Sequence, residues 1–437
     1  MRFKTIVLGC LLASPIVNAM TLEESVALAL DSSPDLLAKY SRFQSMRKDS
    51  DAVGGSYLPQ VNLYAAAGYE GTRYSNGNYI DSEDRILDRT ELGIKISQLL
   101  FDGFATTSDI ERLDLEAEAA RLSLLSSAEN IALETVKVYV DVLHAEELLE
   151  LTKRNLREHQ EIYQLILDKK EKGLTSNSDL AQIASRVATA QSSLIASQNN
   201  LNDAKTKYLR LVGKAPKDII EPVFDARLIP PNVDIAKQQA TDGHPSIKSA
   251  INDLNAARKE IDREKGGYYP ELKLELSANK TDNVDNIEGI NEDAKIMLTL
   301  NYDIFSGFTT NSRVESSAWR AEEARAVRLQ AQLDAEEGTQ LAWNAYELLE
   351  QQKNILKTNV DAAKIAELGY IQQFNVGRRS LLDVLDAKVE TFAARRNYVR
   401  TKYDRLVAAY RLFNAMGTLT YALRVEYPEE WQEKGNE

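Results

Sequence analysis

The sequence predicts a mainly α-helical chain carrying a β-barrel part that it cannot close alone. Three observations predict this. One plan is written twice along 437 residues. Each copy holds one helix far longer than a globular core needs. Each copy also holds two segments read as strands, so the chain has four.

The formal net charge is −13, with 43% hydrophobic and 27% charged residues. That acidic balance excludes nucleic-acid partners, which demand a basic surface. The N-terminus reads MRFKTIVLGCLLASPIVNAM. Arg2 and Lys4 precede a short apolar stretch, and Val17-Asn18-Ala19 suits a signal peptidase, so residues 1–19 read as an export signal. The rival reading is a lipoprotein signal, from Val7-Leu8-Gly9 before Cys10, but its apolar run is short. Cleavage after Ala19 leaves no cysteine, since Cys10 is the single one, and hence no disulfide. No later segment has 18 consecutive apolar residues, so the mature chain does not cross a bilayer as a helix. It is either a soluble exported protein or an outer-membrane barrel.

The repeat rests on landmarks. Pro34 and Pro245 are 211 positions apart, as are the corners Tyr57-Leu58-Pro59 and Tyr268-Tyr269-Pro270. LFDGF at 100–104 answers IFSGF at 304–308 with an offset of 204, which Gly173/Gly377, Asp179/Asp383 and Gly213/Gly417 keep. The repeats span 20–213 and 235–417. A proline-containing linker, 214–234, joins them, and a tail over 418–437 follows.

Within each repeat the order is helix, strand, strand, long helix, helix. Residues 21–54 carry helical spacing from a capping box at Thr21 and Glu24. Proline in the corner forces an extended residue before it, which suits a switch from helix to strand. The strands fall at about 61–72, 89–101, 271–281 and 293–305. Three alternate cleanly: Leu92, Ile94 and Ile96 oppose Gly93, Lys95 and Ser97, and 271–281 and 293–305 do likewise. The first is weaker, because Ala and Tyr fall on both its faces. Helical hairpins follow at about 104–212 and 308–416. Along 113–156 small and apolar residues step by four and three, a heptad seam with a stutter. At 1.5 Å per residue the first long helix measures about 100 Å. Residues 21–54 and 175–212, about 50 and 57 Å, match it end to end. Open strand edges cannot stand in lipid, and four strands are too few for a barrel. The strands must therefore be pooled with other copies, eight in a dimer or twelve in a trimer, and the helices pool into a tube.

The duplication, the corners, FDGF/FSGF and FNVGRRSLLDVLDAKVE at 374–390 resemble the TolC family of outer-membrane efflux and secretion channels. The resemblance covers the mature chain. It implies a homotrimer in the Gram-negative outer membrane, sharing one twelve-stranded barrel and a long periplasmic α-helical barrel. It implies a periplasmic adaptor and an inner-membrane ABC transporter as partners, with a proton-driven efflux pump as the alternative. Overall likeness points to the type I secretion branch, among members associated with adhesin export and agglutination, with multidrug efflux as the alternative role.

Glycines at 173 and 377 stand where helices must stop, which suits a left-handed backbone. The resemblance places adaptor docking around Gly173, Leu174, Gly377 and Ser380. It makes Arg379 an entrance latch to a neighbouring hairpin, through positions matching Ser178 and Asp179. The family has tyrosine where this chain has Phe374, so one gate hydrogen bond is missing or replaced. Asp383 and Asp386 share one helix face. Three chains would set six carboxylates around one axis, favouring cations, and in the family these positions line the constriction. His144, His159 and His244 have no metal spacing. No nucleophile or phosphate motif is present, and no cofactor or catalysis is expected. His159 falls on the seam as a packing residue. A periplasmic coiled-coil interaction protein and an enzyme on a helical scaffold are the rival classes.

Overall fold

The structure, a computed structural model, describes residues 20–73, 84–285 and 287–432. The export signal with Cys10, residues 74–83 between the first two strands, residue 286 and the last five residues of the tail lie outside them. The first repeat contains α1 (Leu22–Ser32), α2 (Pro34–Gly54), β1 (Gln60–Arg73), β2 (Asp84–Phe101), α3 (Ala105–Glu171) and α4 (Asn177–Val212). The second contains α5 (Val233–Gly243), α6 (Pro245–Lys265), β3 (Glu271–Asp282), β4 (Ile290–Asn301), α7 (Thr309–Asn375) and α8 (Leu381–Ala415). A one-turn α9 (Leu419–Ala422) follows. The predicted mainly helical chain with four strands is what forms.

The first helix of each repeat, expected as one piece, is two. Ser33 and His244 are extended, with ψ 117° and 126°, because each precedes a proline. The last strand stops at Asn301, so Tyr302 and Ile304 lie beyond the ladder.

The chain divides into two compact units, and the division cuts across both repeats. One unit is Ala38–Leu124 with Pro245–Leu333; the other takes the rest. In the first unit the strands form one antiparallel sheet in chain order. Its register sorts the central rows. Val61, Ile96, Leu276 and Ile296 lie side by side, followed by Leu63, Ile94, Ala278 and Ala294. The intervening rows are Asn62, Lys95, Ser277 and Lys295, then Tyr64, Gly93, Asn279 and Asp293. So one face is apolar and the other polar, as a membrane barrel wall requires. The apolar band ends where Lys280 meets Glu292 at 2.7 Å. The weak first strand is settled by its neighbours: Tyr64 lies over Gly93 on the polar face, and its hydroxyl donates to Asn279 Oδ1 at 3.0 Å.

The corners form alike in both repeats. The Leu58 and Tyr269 N–H groups donate to Gly55 and Gly266 carbonyls at 3.0 and 2.9 Å. Each corner tyrosine reaches the first turn of the following long helix, Tyr57 to Thr107 at 2.6 Å and Tyr268 to Asn311 at 2.8 Å. That contact is what the repeated tyrosine does.

The second unit is helical. Most of the predicted seam of α3, from Ala128 to Thr152, is buried. The tyrosines at 139, 208 and 410 are buried with Phe413. Tyr139 donates to the Ile220 carbonyl at 2.7 Å, which ties down the linker. Glu129 accepts from the Leu419 and Thr420 N–H groups and the Tyr427 hydroxyl, which ties down the tail. On α7 the picture differs: Leu341, Leu348 and Ile355, spaced by seven, are 51%, 62% and 69% exposed. Among the described residues no helix is long and apolar enough to cross a membrane.

Candidate functional site

The two hairpin turns sit in the helical unit and are built by one recipe. After α3, the Leu174 N–H donates to the Lys169 carbonyl at 2.8 Å and Gly173 to Lys170 at 2.9 Å. After α7, Arg378 donates to Gln373 at 2.8 Å and Gly377 to Phe374 at 3.0 Å. These are Schellman closures, which need a left-handed residue. Gly173 and Gly377 supply it with φ 72° and 75°. Leu174 is left 71% exposed at the turn.

Each turn leads into a capping box. Ser176 caps α4 with Asp179 at the third position, and Ser380 caps α8 with Asp383. Asp179 Oδ2 accepts from the Thr175 and Ser176 hydroxyls at 2.7 and 2.8 Å. Those bonds hold its carboxyl below the usual carboxylate range. The Ser380 hydroxyl, 2.9 Å away, and the Ser380 N–H do the same for Asp383. Ser380 and Asp383 therefore have a local role that is independent of any partner.

Arg379 is held inside its own hairpin. Its Nε donates to Gln373 Oε1 at 3.0 Å, its guanidinium lies 4.1 Å over the Tyr370 ring, and Asp383 Oδ1 is 3.8 Å away. Its bonds among the described residues do not include Ser178 or Asp179, so the structure does not bring the expected latch members together within one chain. Phe374 packs on a cluster of Ile166, Ile183, Leu381 and Leu385. Lys169 Nζ stands 4.4 Å over its ring. Phe374 thus has an apolar seat.

Asp386 is exposed and accepts from Arg186 Nη2 on α4 at 3.1 Å. Sequence reasoning missed Arg186, Tyr370 and Gln373. Gln373 and Tyr370 could have been found, since they lie six and nine positions before Arg379 on the helix feeding the turn. Arg186 could not, because its partner is 200 residues away.

Farther along the same helices, Lys388 is 8% exposed and bridges Glu158 at 2.9 Å and Glu367 at 2.8 Å, joining α3, α7 and α8. Next to it His159 is buried, with Nδ1 2.8 Å from the Asn155 carbonyl. Burial pushes its pKa down, so it packs as a neutral ring. Among the described residues no cluster of His, Cys, Asp and Glu could hold a metal.

Comparison with known proteins agrees with this architecture. The family model described as outer membrane efflux protein matches residues 26–214 and 236–418, one segment per repeat. The outer membrane efflux protein BepC of Brucella suis is 28% identical over 330 residues, 75% of this chain and 72% of that protein. The alkaline protease secretion protein AprF of Pseudomonas aeruginosa is 22% identical over 423 residues, 92% of this chain and 86% of that one. Among solved structures, the CmeC outer membrane channel of Campylobacter jejuni superposes with a TM-score of 0.79 at 16% identity, covering 91% of this chain and 86% of that one.

Proposed function

The chain belongs to the outer membrane efflux protein family, and on that premise we propose that it is one third of a trimeric export duct serving type I protein secretion. Its location is the outer membrane. The observation that carries the assembly of several copies is the sheet: β1 and β4 are open edges, and one face is apolar. Such a sheet stands in lipid only when its edges are paired. The exposed heptad row of α7 offers a second surface for another copy. Three chains give twelve strands, enough to close a barrel.

Transport is passive, and energy comes from an inner-membrane transporter reached through a periplasmic adaptor. The adaptor docks at the bare turns of Gly173, Leu174 and Gly377. The entrance is lined by Asp383 and Asp386, and Arg379 latches it across copies to Ser178 and Asp179. Exposed ion pairs are worth about 0–1 kcal/mol each, so docking can release such a latch. Arg379→Glu should raise the closed-state conductance of the purified protein in planar bilayers. An unchanged conductance removes the latch.

Efflux is the second reading, because BepC is described as an efflux protein and AprF as a secretion protein. A deletion strain separates the two. Loss of one or two very large proteins from the surface and medium, with drug and bile-salt tolerance unchanged, supports secretion. Unchanged secretion with marked drug sensitivity makes the chain an efflux duct.

A further inference from the structure

We propose that Arg186 sets the charge selectivity of the entrance, by pairing with Asp386 inside each protomer and cancelling the cation attraction of a bare carboxylate ring. The inference rests on the reading that Asp383 and Asp386 line the constriction.

A ring of six carboxylates is expected to concentrate cations. The structure gives each of those carboxylates a guanidinium. Arg186 Nη2 lies 3.1 Å from Asp386 Oδ1, and Arg379 Nη1 lies 3.8 Å from Asp383 Oδ1. Within a single chain, before any latch to a neighbouring copy forms, two cations thus stand against these two anions. An ion pair so close presents a dipole rather than a charge, and its field fades well within a Debye length of about 8 Å.

The two pairs differ in what holds them. Asp383 is fixed by its helix cap, whose bonds to Ser380 persist without Arg379. Asp386 lies beyond the cap, and among the described residues it is Arg186 that bonds it, across from α4 to α8. Arg186 is thus the group that decides whether Asp386 acts as a free charge. The pair also breaks the repeat. At the offset of 204, Arg186 corresponds to Glu390 and Asp386 to Gln182. The pair is made once per protomer and has no counterpart of the same residues in the chain.

Stability is not its main contribution. The side chains are 35% and 58% exposed, where an ion pair adds little. Its loss changes the local charge and leaves the hairpin folded, which makes a clean test possible.

The experiment uses the purified full-length protein in planar bilayers under a KCl gradient, reading the reversal potential and the block by lanthanum ion. Arg186→Gln should move the reversal potential toward cation selectivity and lower the half-blocking lanthanum concentration by about tenfold. Arg186→Lys, which keeps the charge, should resemble the wild type. Asp386→Asn should move selectivity the other way, and Arg186→Gln with Asp386→Asn should return it close to wild type. If Arg186→Gln changes neither reading while Asp383→Asn changes both, the role of Arg186 is overturned and the constriction stands. If neither Asp383→Asn nor Asp386→Asn moves selectivity, the constriction lies elsewhere and both ideas fall together.

Discussion

Gly103→Ala should prevent the sheet unit from assembling, whereas Gly377→Ala should leave the protein folded. Both glycines have positive φ, 68° and 75°. An L-residue there costs roughly 1–2 kcal/mol at either site. The surroundings differ. A Cβ on Gly103 would stand 2.6 Å from the Gly266 carbonyl oxygen and 2.7 Å from Tyr269 Cβ, while one on Gly377 meets nothing within 4 Å. Gly266 is itself closed in, since its own Cβ would stand 2.6 Å from that of Ala105. The end of β2, the start of α3 and the corner before β3 are therefore interlocked through backbone. Overpacking of this kind adds about 1–3 kcal/mol, and no flexible side chain is available to yield. The yield of heat-resistant oligomer in outer-membrane extracts reads the difference. Equal yields for the two variants would show that the corner has room to relax.

Lys388→Met should lower stability by about 3 kcal/mol, because breaking a buried ion cluster leaves charge unpaired. Glu367, whose side chain is 10% exposed, would lose its cation, as would the more open Glu158. Arg395 lines the same small cavity but bonds neither glutamate among the described residues. His159 is kept neutral by burial, and the Thr391 hydroxyl donates to the Ala363 carbonyl instead. Adding Glu158→Gln and Glu367→Gln to Lys388→Met should recover most of the loss, since a neutral layer of similar volume removes the uncompensated charge. Denaturant midpoints of the detergent-solubilised protein test both statements. A Lys388→Met protein as stable as wild type, or a triple variant no better than the single one, would mean that water reaches the cluster.

Much of the candidate site was legible because it is local. Gly173 and Gly377 stop helices, and the following Ser-x-x-Asp starts the next one; both signals need only five or six consecutive residues. The alternation of β2, β3 and β4 was readable for the same reason. The first strand was not, since Ala and Tyr on both faces give no period; the sheet oriented it by setting Tyr64 over Gly93. The helix breaks at Pro34 and Pro245 are local too, because each proline holds the residue before it extended.

The sequence by itself determined the duplicated plan, the order of helices and strands, the turns and the caps, because backbone torsions and side-chain periods answer to near neighbours. Tertiary structure decided which side chains meet across helices and where the two repeats cease to be equivalent. FDGF and FSGF are alike as sequence, yet Gly103 is walled in and its counterpart Gly307 has nothing within 4 Å in the chain. The reason is the sheet order: β2 has β3 beside it, while β4 is an edge. Arg186 with Asp386, and Lys388 with Glu158 and Glu367, arise the same way. Their partners are set by how helices pack, and no spacing along the chain encodes that.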